Sequence, residues 1–416
     1  MAKTVGTLEA ELHSFLTTHL AGLDSATRTA ALAEYARGLG LELGDKSMMA
    51  MARSLAPENI EGCRQRMQRA VTSGRFDAED VFDRLQTTVA EEFSQFRALC
   101  VDDTGIAKQG EQSVGVQRQY SGTLGKVGNC QVVTTLHAVS NMESCALAAR
   151  LYLPESWAND SDRRKEAQVP DDVVFQTKPE IALELISKAV EAGIPKRPVL
   201  ADAAFGDSRE FRDSVQELGL DYAVAISSKT RVWPPGIVPS ARPKTGKPGR
   251  PPTRFAGPTG ETPVSARDIA DDLMEKNRFR RVTWRQGTKD KLTAKFARVR
   301  VRSAERWTKG TPPSDELWLL IEIDPQPKRP FKFYLSSLSD TTPTKVHVYL
   351  VKMRWRIEKD YRDLKQHLGF DEFEGRSWGG LHRHLAMVLL MLCFIALHRE
   401  RFSPRSFETM ELEPVP

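Results

Sequence analysis

The stretch VHVYLVKMRWRIEKDYRDLKQHL, residues 346 to 368, decides how the rest of the chain is understood. Leu350, Met353, Ile357, Tyr361, Leu364 and Leu368 recur at three- and four-residue steps, and Gly369 follows directly. That pattern predicts one helix stopped by a glycine. At about 100° per residue the six side chains form an apolar stripe. Arg354, Glu358 and Lys365 fall on a second stripe beside it. A carboxylate therefore stands at the edge of the buried face, with one cation before it and another after. Soluble surface helices carry such pairs too, so the stripe alone assigns no function.

Two more acids stand out upstream. FRALCVDDTG (96–105) reads as a buried strand ending in acids and a glycine turn at Gly105, and puts Asp102 at the strand end. RPVLADAAFGD (197–207) reads as a short strand, then Asp202, then a turn of small residues. Strand-like runs lie between them at QVVTTLHAV (131–139) and SCALAARLYLP (144–154). TKPEIALELISKAVEAG (177–193) is an amphipathic helix with Pro179 at its start and Gly193 at its end. A helix over 208–218 and a strand in DYAVAIS (221–227) complete the unit. Strands, crossover helices and acids at strand ends describe an α/β layer fold.

The net charge of +5 is unevenly distributed. Residues 229–309 hold 21 Lys and Arg against 7 Asp and Glu, which leaves the remainder acidic. Such asymmetry favours a polyanion docked on one segment, the plainer reading being a flexible basic linker. WPPGIVPSARPKTGKPGRPPT (233–253) is too rich in proline and glycine for a regular element and suits an extended basic loop. Arg242, Lys244, Lys247, Arg250 and Arg254 are its candidate phosphate contacts. Alternating runs follow at 280–287, 295–307, 316–323 and 331–338 and predict antiparallel strands with cationic faces. Residues 1–95 look helical and carry 10 basic and 14 acidic residues, with one local basic face at Arg64, Arg66 and Arg69.

The five cysteines are odd in number and lack CxxC spacing, which argues for reduced structural thiols and against a zinc site. The N-terminus lacks the apolar core of a signal peptide. The apolar run Leu385–Leu397, bracketed by His384 and His398, is too short to span a bilayer and reads as a buried helix. The expectation is a cytoplasmic protein with no membrane partner. His382 and His384, either side of Arg383, have the wrong spacing for one helical metal face and suit packing or phosphate contact.

Three converging carboxylates would raise one another's pKa unless a cation neutralised them. Magnesium is hard, takes oxygen ligands and keeps waters in its shell. Two such ions about 3.5–4 Å apart can activate a water or 3′-hydroxyl and stabilise the leaving oxygen of a phosphodiester.

Arg354-x3-Glu358-x6-Lys365 resembles the signature around the catalytic glutamate of DDE transposases of bacterial insertion sequences, most closely the insertion-sequence 701 family. The signature is Tyr-x2-Arg-x3-Glu-x6-Lys, and its tyrosine slot is Val351 here. Tyr349 lies two residues earlier and, on a continuous helix, points away from Glu358. VDDTG resembles the first-aspartate block and assigns Asp102, with Asp103 as second choice. LADAAFGD resembles the second block and assigns Asp202, leaving Asp207 to cap the loop. GVQRQYSGTLGKVGNCQV and the run FEGRSWGGLHRHLAMVLLMLCFIAL also read like the family, so the resemblance spans roughly 95–400.

The resemblance implies an α/β ribonuclease-H-like catalytic core with an inserted β-rich domain and an N-terminal α-helical domain. The boundaries it suggests are 1–95 helical, 96–228 first part of the core, 229–340 basic insertion, 341–400 second part of the core and 401–416 tail. It implies metal-dependent cleavage of transposon-end DNA and strand transfer, with Asp102, Asp202 and Glu358 binding two Mg²⁺ ions, or Mn²⁺ in their place. Arg354, Arg362 and Lys365 would meet double-stranded DNA, and a homodimer would act on paired ends in a bacterial, nucleoid-associated setting. One of Trp284, Trp307 and Trp318 would stack on a base, Trp318 being better suited to the core. The rival readings are a silent transposase-derived DNA-binding regulator and another nuclease with the same core.

Overall fold

Apolar periodicity and caps divide the start of the chain into five helices: α1 (Ala2–Leu20), α2 (Ala26–Leu39), α3 (Met48–Leu55), α4 (Ile60–Thr72) and α5 (Ala78–Glu92). Ser47, Asn59 and Asp77 accept backbone N–H bonds at the starts of α3, α4 and α5. The computed structural model describes residues 2–93, 95–123, 125–241, 254–286, 290–323 and 331–402. It forms two units: one runs to Lys196 and resumes at Trp355, the other runs from Arg197 to Arg354.

After the helices, the first unit builds a sheet from β1 (Ala98–Ala107), β2 (Gln117–Ser121), β3 (Lys126–Val139) and β4 (Ser144–Leu151). The long β3 is its spine, antiparallel to β1 along one edge and to β2 and β4 along the other. β1 does not stop at its acids. It continues through Gly105 to Ala107, so Asp102 lies in mid-strand opposite Thr135 and not at a strand end. Gly105 is no turn: a Cβ there would overlap the Ser121 hydroxyl, and glycine lets β2 approach. Two short helices, α6 (Glu155–Ala158) and α7 (Ser161–Glu166), lead to α8 (Lys178–Glu191). α8 begins in a Thr177–Glu180 capping box with Pro179 in its first turn, and Gly193 follows at φ 90°.

The second unit opens with β5 (Val199–Ala201), α9 (Ala203–Gly206), α10 (Arg209–Glu217) and β6 (Tyr222–Ile226), with β5 and β6 parallel. Then come β7 (Arg231–Trp233), β8 (Ser240–Ala241), β9 (Phe255–Ala256), β10 (Val264–Ser265) and α11 (Ala266–Glu275). β11 (Arg280–Gln286), β12 (Lys291–Ser303), β13 (Glu316–Ile323) and β14 (Phe331–Ser336) are antiparallel, as the alternation predicts. β14 pairs with β6, so these strands extend the β5–β6 pair as one sheet within this unit. α12 (Thr344–Met353) ends the unit.

The first unit then resumes with α13 (Trp355–His367) and α14 (Trp378–Phe402). The single helix expected over 346–368 is therefore two, separated at Arg354. Arg354 keeps right-handed dihedrals (φ −53°, ψ −26°), and Leu350, Met353, Ile357, Leu364 and Leu368 are all buried. Side-chain periodicity survives a one-residue interruption of this kind and cannot reveal it. α14 is long and apolar enough to cross a bilayer, yet 94% of its most apolar window is buried inside the protein. It packs against α2, α4, α5 and β4.

His382, Arg383 and His384 all have packing roles. Tyr35 and His384 Nδ1 are 2.8 Å apart, and His382 bonds the Trp378 carbonyl. Arg383 donates to the carbonyls of Val71 and Thr72 at the C-terminal end of α4 and of Phe76 in the link to α5. All five cysteines are buried and free. The basic face on α4 is largely neutralised: Arg64 pairs with Glu61 at 2.5 Å and Arg66 with Glu34 at 3.1 Å.

Candidate active site

Within the first unit, α13 lies along β1 and β3, and hydrogen bonds fix where each turn rests. Asp360 meets His137 on β3, Tyr361 meets Thr135 on β3, and Lys365 meets Gly105 on β1. Asp102 is the cross-strand partner of Thr135 and so shares its face of the sheet. Asp102 is 9% exposed, and its carboxylate accepts the Asp103 N–H at 2.8 Å. Burial raises the pKa of the Tyr361 phenol well above the usual tyrosine value, and the Asp102 charge raises it further. Glu358 is exposed one helical turn before Tyr361. Asp102 thus acts on Tyr361 from the strand, and Glu358 stands three residues before that tyrosine on the helix.

Asp103 points to the opposite face, since neighbouring strand residues alternate. There it pairs with Lys178 at 2.7 Å and ties β1 to the start of α8. Lys365 is half-buried: its ammonium donates to the Gly105 carbonyl at 2.7 Å and the Thr123 hydroxyl at 3.1 Å, and burial lowers its pKa. Arg362 is exposed on α13.

Asp202 belongs to the second unit, at the C-terminal end of β5, where its side chain accepts the Ala204 N–H and caps the short α9. Asp207 has the loop-capping role expected of it, accepting from the Ser227 N–H and the Thr230 hydroxyl. Arg354 caps the C-terminus of α12. Tyr349 also lies on α12. Arg254 is exposed, its guanidinium 5.7 Å from the Trp307 ring centroid. Arg242, Lys244, Lys247 and Arg250 lie outside the described residues.

None of the three tryptophans singled out in the insertion is fully buried. Trp284 packs edge-on against Phe296 and Trp307 against Trp233. Trp318 is half-buried and not core: the guanidinium carbons of Arg298 and Arg300 lie 3.8 and 4.6 Å from its ring centroid. Arginines cover this face of β12 and β13, and the alternation of ELWLLIEI alone could not show it.

The residues missed from the sequence are His137, Thr135 and Asp360. Asp360 and Tyr361 stand inside the decisive stretch, but their partners are 223 and 226 residues away. No local pattern links them.

Asp102, Asp202 and Glu358 offer carboxylate oxygens, the donors that magnesium or manganese takes. They are divided between the units, two in the first and one in the second. Among the described residues no group of three or more His, Cys, Asp or Glu is arranged to hold a metal. The donor chemistry fits the ion.

The family described as DDE superfamily endonuclease matches residues 19–291, a span that includes Asp102 and Asp202 and ends before Glu358. A probable transposase for insertion sequence element IS701 from Microchaete diplosiphon is 37% identical over 131 residues. That match covers 31% of this chain and 32% of the relative's length. The family match extends over more than half of the sequence, and the chain belongs to the DDE superfamily of endonucleases.

Proposed function

We propose that this chain is a DNA transposase that cuts phosphodiester bonds at its element's ends and joins them to target DNA, with Asp102, Asp202 and Glu358 as its catalytic carboxylates. The observation that carries the reading is Asp102 in the middle of β1, with Glu358 one turn from the Tyr361 that bonds Thr135, the cross-strand partner of Asp102. The order of elements supports a ribonuclease-H-like core: antiparallel β1, β3 and β4, then α8, then β5 ending at Asp202 and its parallel partner β6. The relative's description as a transposase supports the strand-transfer half.

The three carboxylates would hold magnesium, with manganese as substitute. When bound, it supplies a charge that polarises the scissile phosphate and lowers the pKa of an attacking water or 3′-hydroxyl. The chain's own part is to place acceptors on rigid elements. Asp102 is fixed by a long strand and by its neighbour's N–H, and Asp202 by the helix turn it caps. Arg354 and the exposed Arg362 supply positive charge for DNA phosphates, Arg354 as a planar fork. Lys365, already bonded to Gly105 and Thr123, lends its charge from a fixed position. The basic loop that ends at Arg254 would track the duplex backbone. A homodimer in the bacterial cytoplasm, bound to paired ends, completes the reading.

The test is cleavage of a duplex carrying the element's ends in Mg²⁺. Asp102→Asn, Asp202→Asn and Glu358→Gln should each lose about a thousandfold or more, about 4 kcal/mol of barrier, while binding the duplex normally. Asp103→Asn, which breaks only the pair with Lys178, should keep cleaving. Near-normal turnover by any of the first three removes that residue from the assignment.

A further inference from the structure

The β2–β3 hairpin carries an apolar pair on one face. Tyr120 and Val127 stand directly opposite each other across its two strands and are 64% and 54% exposed. Single exposed apolar side chains are ordinary; two that face each other make a patch. The hairpin beneath them is tied down. Ser121 points to the face opposite Tyr120; it is buried, and its hydroxyl sits where a Cβ on Gly105 would be. The Thr123 hydroxyl lies 3.3 Å from that of Thr104 and accepts from the Lys365 ammonium at 3.1 Å. At the root, Asn129 donates to the carbonyls of Lys108 and Gly110 at 3.0 and 2.9 Å.

Charge selects the partner. Residues 112–142 contain no Asp or Glu. Arg118 shares the face of Tyr120 and Lys126 the face of Ser121, and both are exposed, so one cation flanks the pair on each side of the ribbon. A second copy docked on this patch would set the same cations against each other. A nucleic-acid backbone is attracted by both. An aromatic ring and an aliphatic side chain between two cations suit a base step and its flanking phosphates. The place is also telling. Thr104, which the hairpin touches, follows Asp102 by two residues and shares its face of β1, about 7 Å along the strand.

We propose that the β2–β3 hairpin is a wedge for double-stranded DNA: the Tyr120 ring, backed by Val127, enters a base step beside the bond to be cut and unstacks it, while Arg118 and Lys126 hold the phosphates on either side. The proposal rests on the reading of this chain as a DNA transposase that cuts at Asp102. It gives Tyr120 no contact with the reacting atoms; its part is to open the duplex.

The probe is a duplex of the element's end with 2-aminopurine at the base steps flanking the cut, bound to the full-length protein in metal-free buffer. Its fluorescence rises as the base leaves the stack. The parent should raise the signal, Tyr120→Phe should match it, and Tyr120→Ala should lose most of the rise at saturating protein. In Mg²⁺, Tyr120→Ala should cleave the intact end about thirtyfold more slowly, equivalent to about 2 kcal/mol of barrier. On an end already opened by mismatches at that step, it should come within about threefold of the parent. A role in folding alone is not repaired by changing the DNA. The wedge is overturned if Tyr120→Ala raises the fluorescence as the parent does, or if it is as slow on the mismatched end as on the intact one. It is overturned equally if Tyr120→Ala keeps the rise and instead alters the oligomeric state of the free protein in size-exclusion chromatography, which makes the pair a contact between copies. Asp102→Asn separates the two claims, since it should abolish cleavage and keep the fluorescence rise. If it cleaves normally, the catalytic assignment of Asp102 falls and the wedge's place beside the cut with it; if cleavage is lost but the parent itself gives no rise, the wedge alone falls.

Discussion

Lys352 on α12 and Glu322 on β13 form an ion pair inside the second unit, and Lys352→Met should expose what it contributes. Glu322 is 2% exposed and also accepts from the Tyr334 hydroxyl at 3.1 Å. The Lys352 ammonium lies 4.7 Å from the centroid of the Trp284 ring, and its side chain is 18% exposed. Removing one partner of a buried pair leaves the other charge uncompensated, at a cost of about 3–5 kcal/mol. Because Tyr334 still serves Glu322 and water reaches part of this site, the low end applies. About 3 kcal/mol is roughly a hundredfold in the folding equilibrium. Glu322→Gln should cost only about 1 kcal/mol, since glutamine keeps the Tyr334 bond and the ammonium can turn to solvent. Combining the two should come back to within about 1 kcal/mol of the parent, because no charge is then buried alone. Four of the seven tryptophans, Trp233, Trp284, Trp307 and Trp318, lie in this unit, so urea unfolding followed by fluorescence reports on it. A Lys352→Met cost below about 1 kcal/mol, or a double variant no better than Lys352→Met, refutes the reasoning.

Changing Arg242, Lys244, Lys247, Arg250 and Arg254 to glutamine should flatten the log-log salt dependence of DNA affinity, by about 0.9 for each phosphate no longer neutralised. End and unrelated DNA should weaken alike, and an unchanged slope would make the loop a solvated linker. Burial lowers the pKa of His382 and His384 to about 4 and that of His347 to about 3, below the ordinary value of about 6.5. The unfolded chain binds protons that these rings refuse, so stability falls as pH drops through 6.5 towards 4, by up to about 1.4 kcal/mol per unit for each histidine. Denaturation midpoints at pH 7 and pH 5 should show the fall, and His384→Gln should make it shallower; an equal slope contradicts the sign. Arg383→Leu strands the carbonyls at the end of α4 and should cost about 2–3 kcal/mol in urea titrations, whereas an effect under about 0.5 kcal/mol would mean water replaces the guanidinium.

Much of the architecture could be read locally. TKPEIALELISKAVEAG carries its cap, its proline and its terminating glycine in one window, and α8 follows it closely. The alternating runs after residue 280 became antiparallel strands because a half-buried sheet imposes period two. Three errors share a cause. Gly105 looked like a turn because its reason for being glycine, the Ser121 hydroxyl, belongs to another strand. Trp318 looked like core because the arginines over it come from β12. The interruption at Arg354 is invisible because its neighbours keep the helical period. At the candidate site the acids were legible as words in a familiar order. The network under α13 was not, since each of its links from α13 to the sheet joins residues more than 200 positions apart.

The first unit is interrupted by the whole of the second, and this sets an order of assembly on the ribosome. Its five opening helices and first sheet emerge early, but α14, the helix they pack around, is among the last segments made. At about 5–20 residues per second, the roughly 200 residues from Lys196 to the end of α14 take on the order of 10–40 s. Meanwhile the parts of α2, α4 and α5 that pack against α14 wait for it, whereas the second unit comes off the ribosome as one uninterrupted segment. A nascent chain of this design exposes, until α14 is made, apolar surface of the kind chaperones exist to hold. Any messenger cut or stalled before residue 355 yields a product that lacks both α13, with Glu358 on it, and the long helix that closes its core.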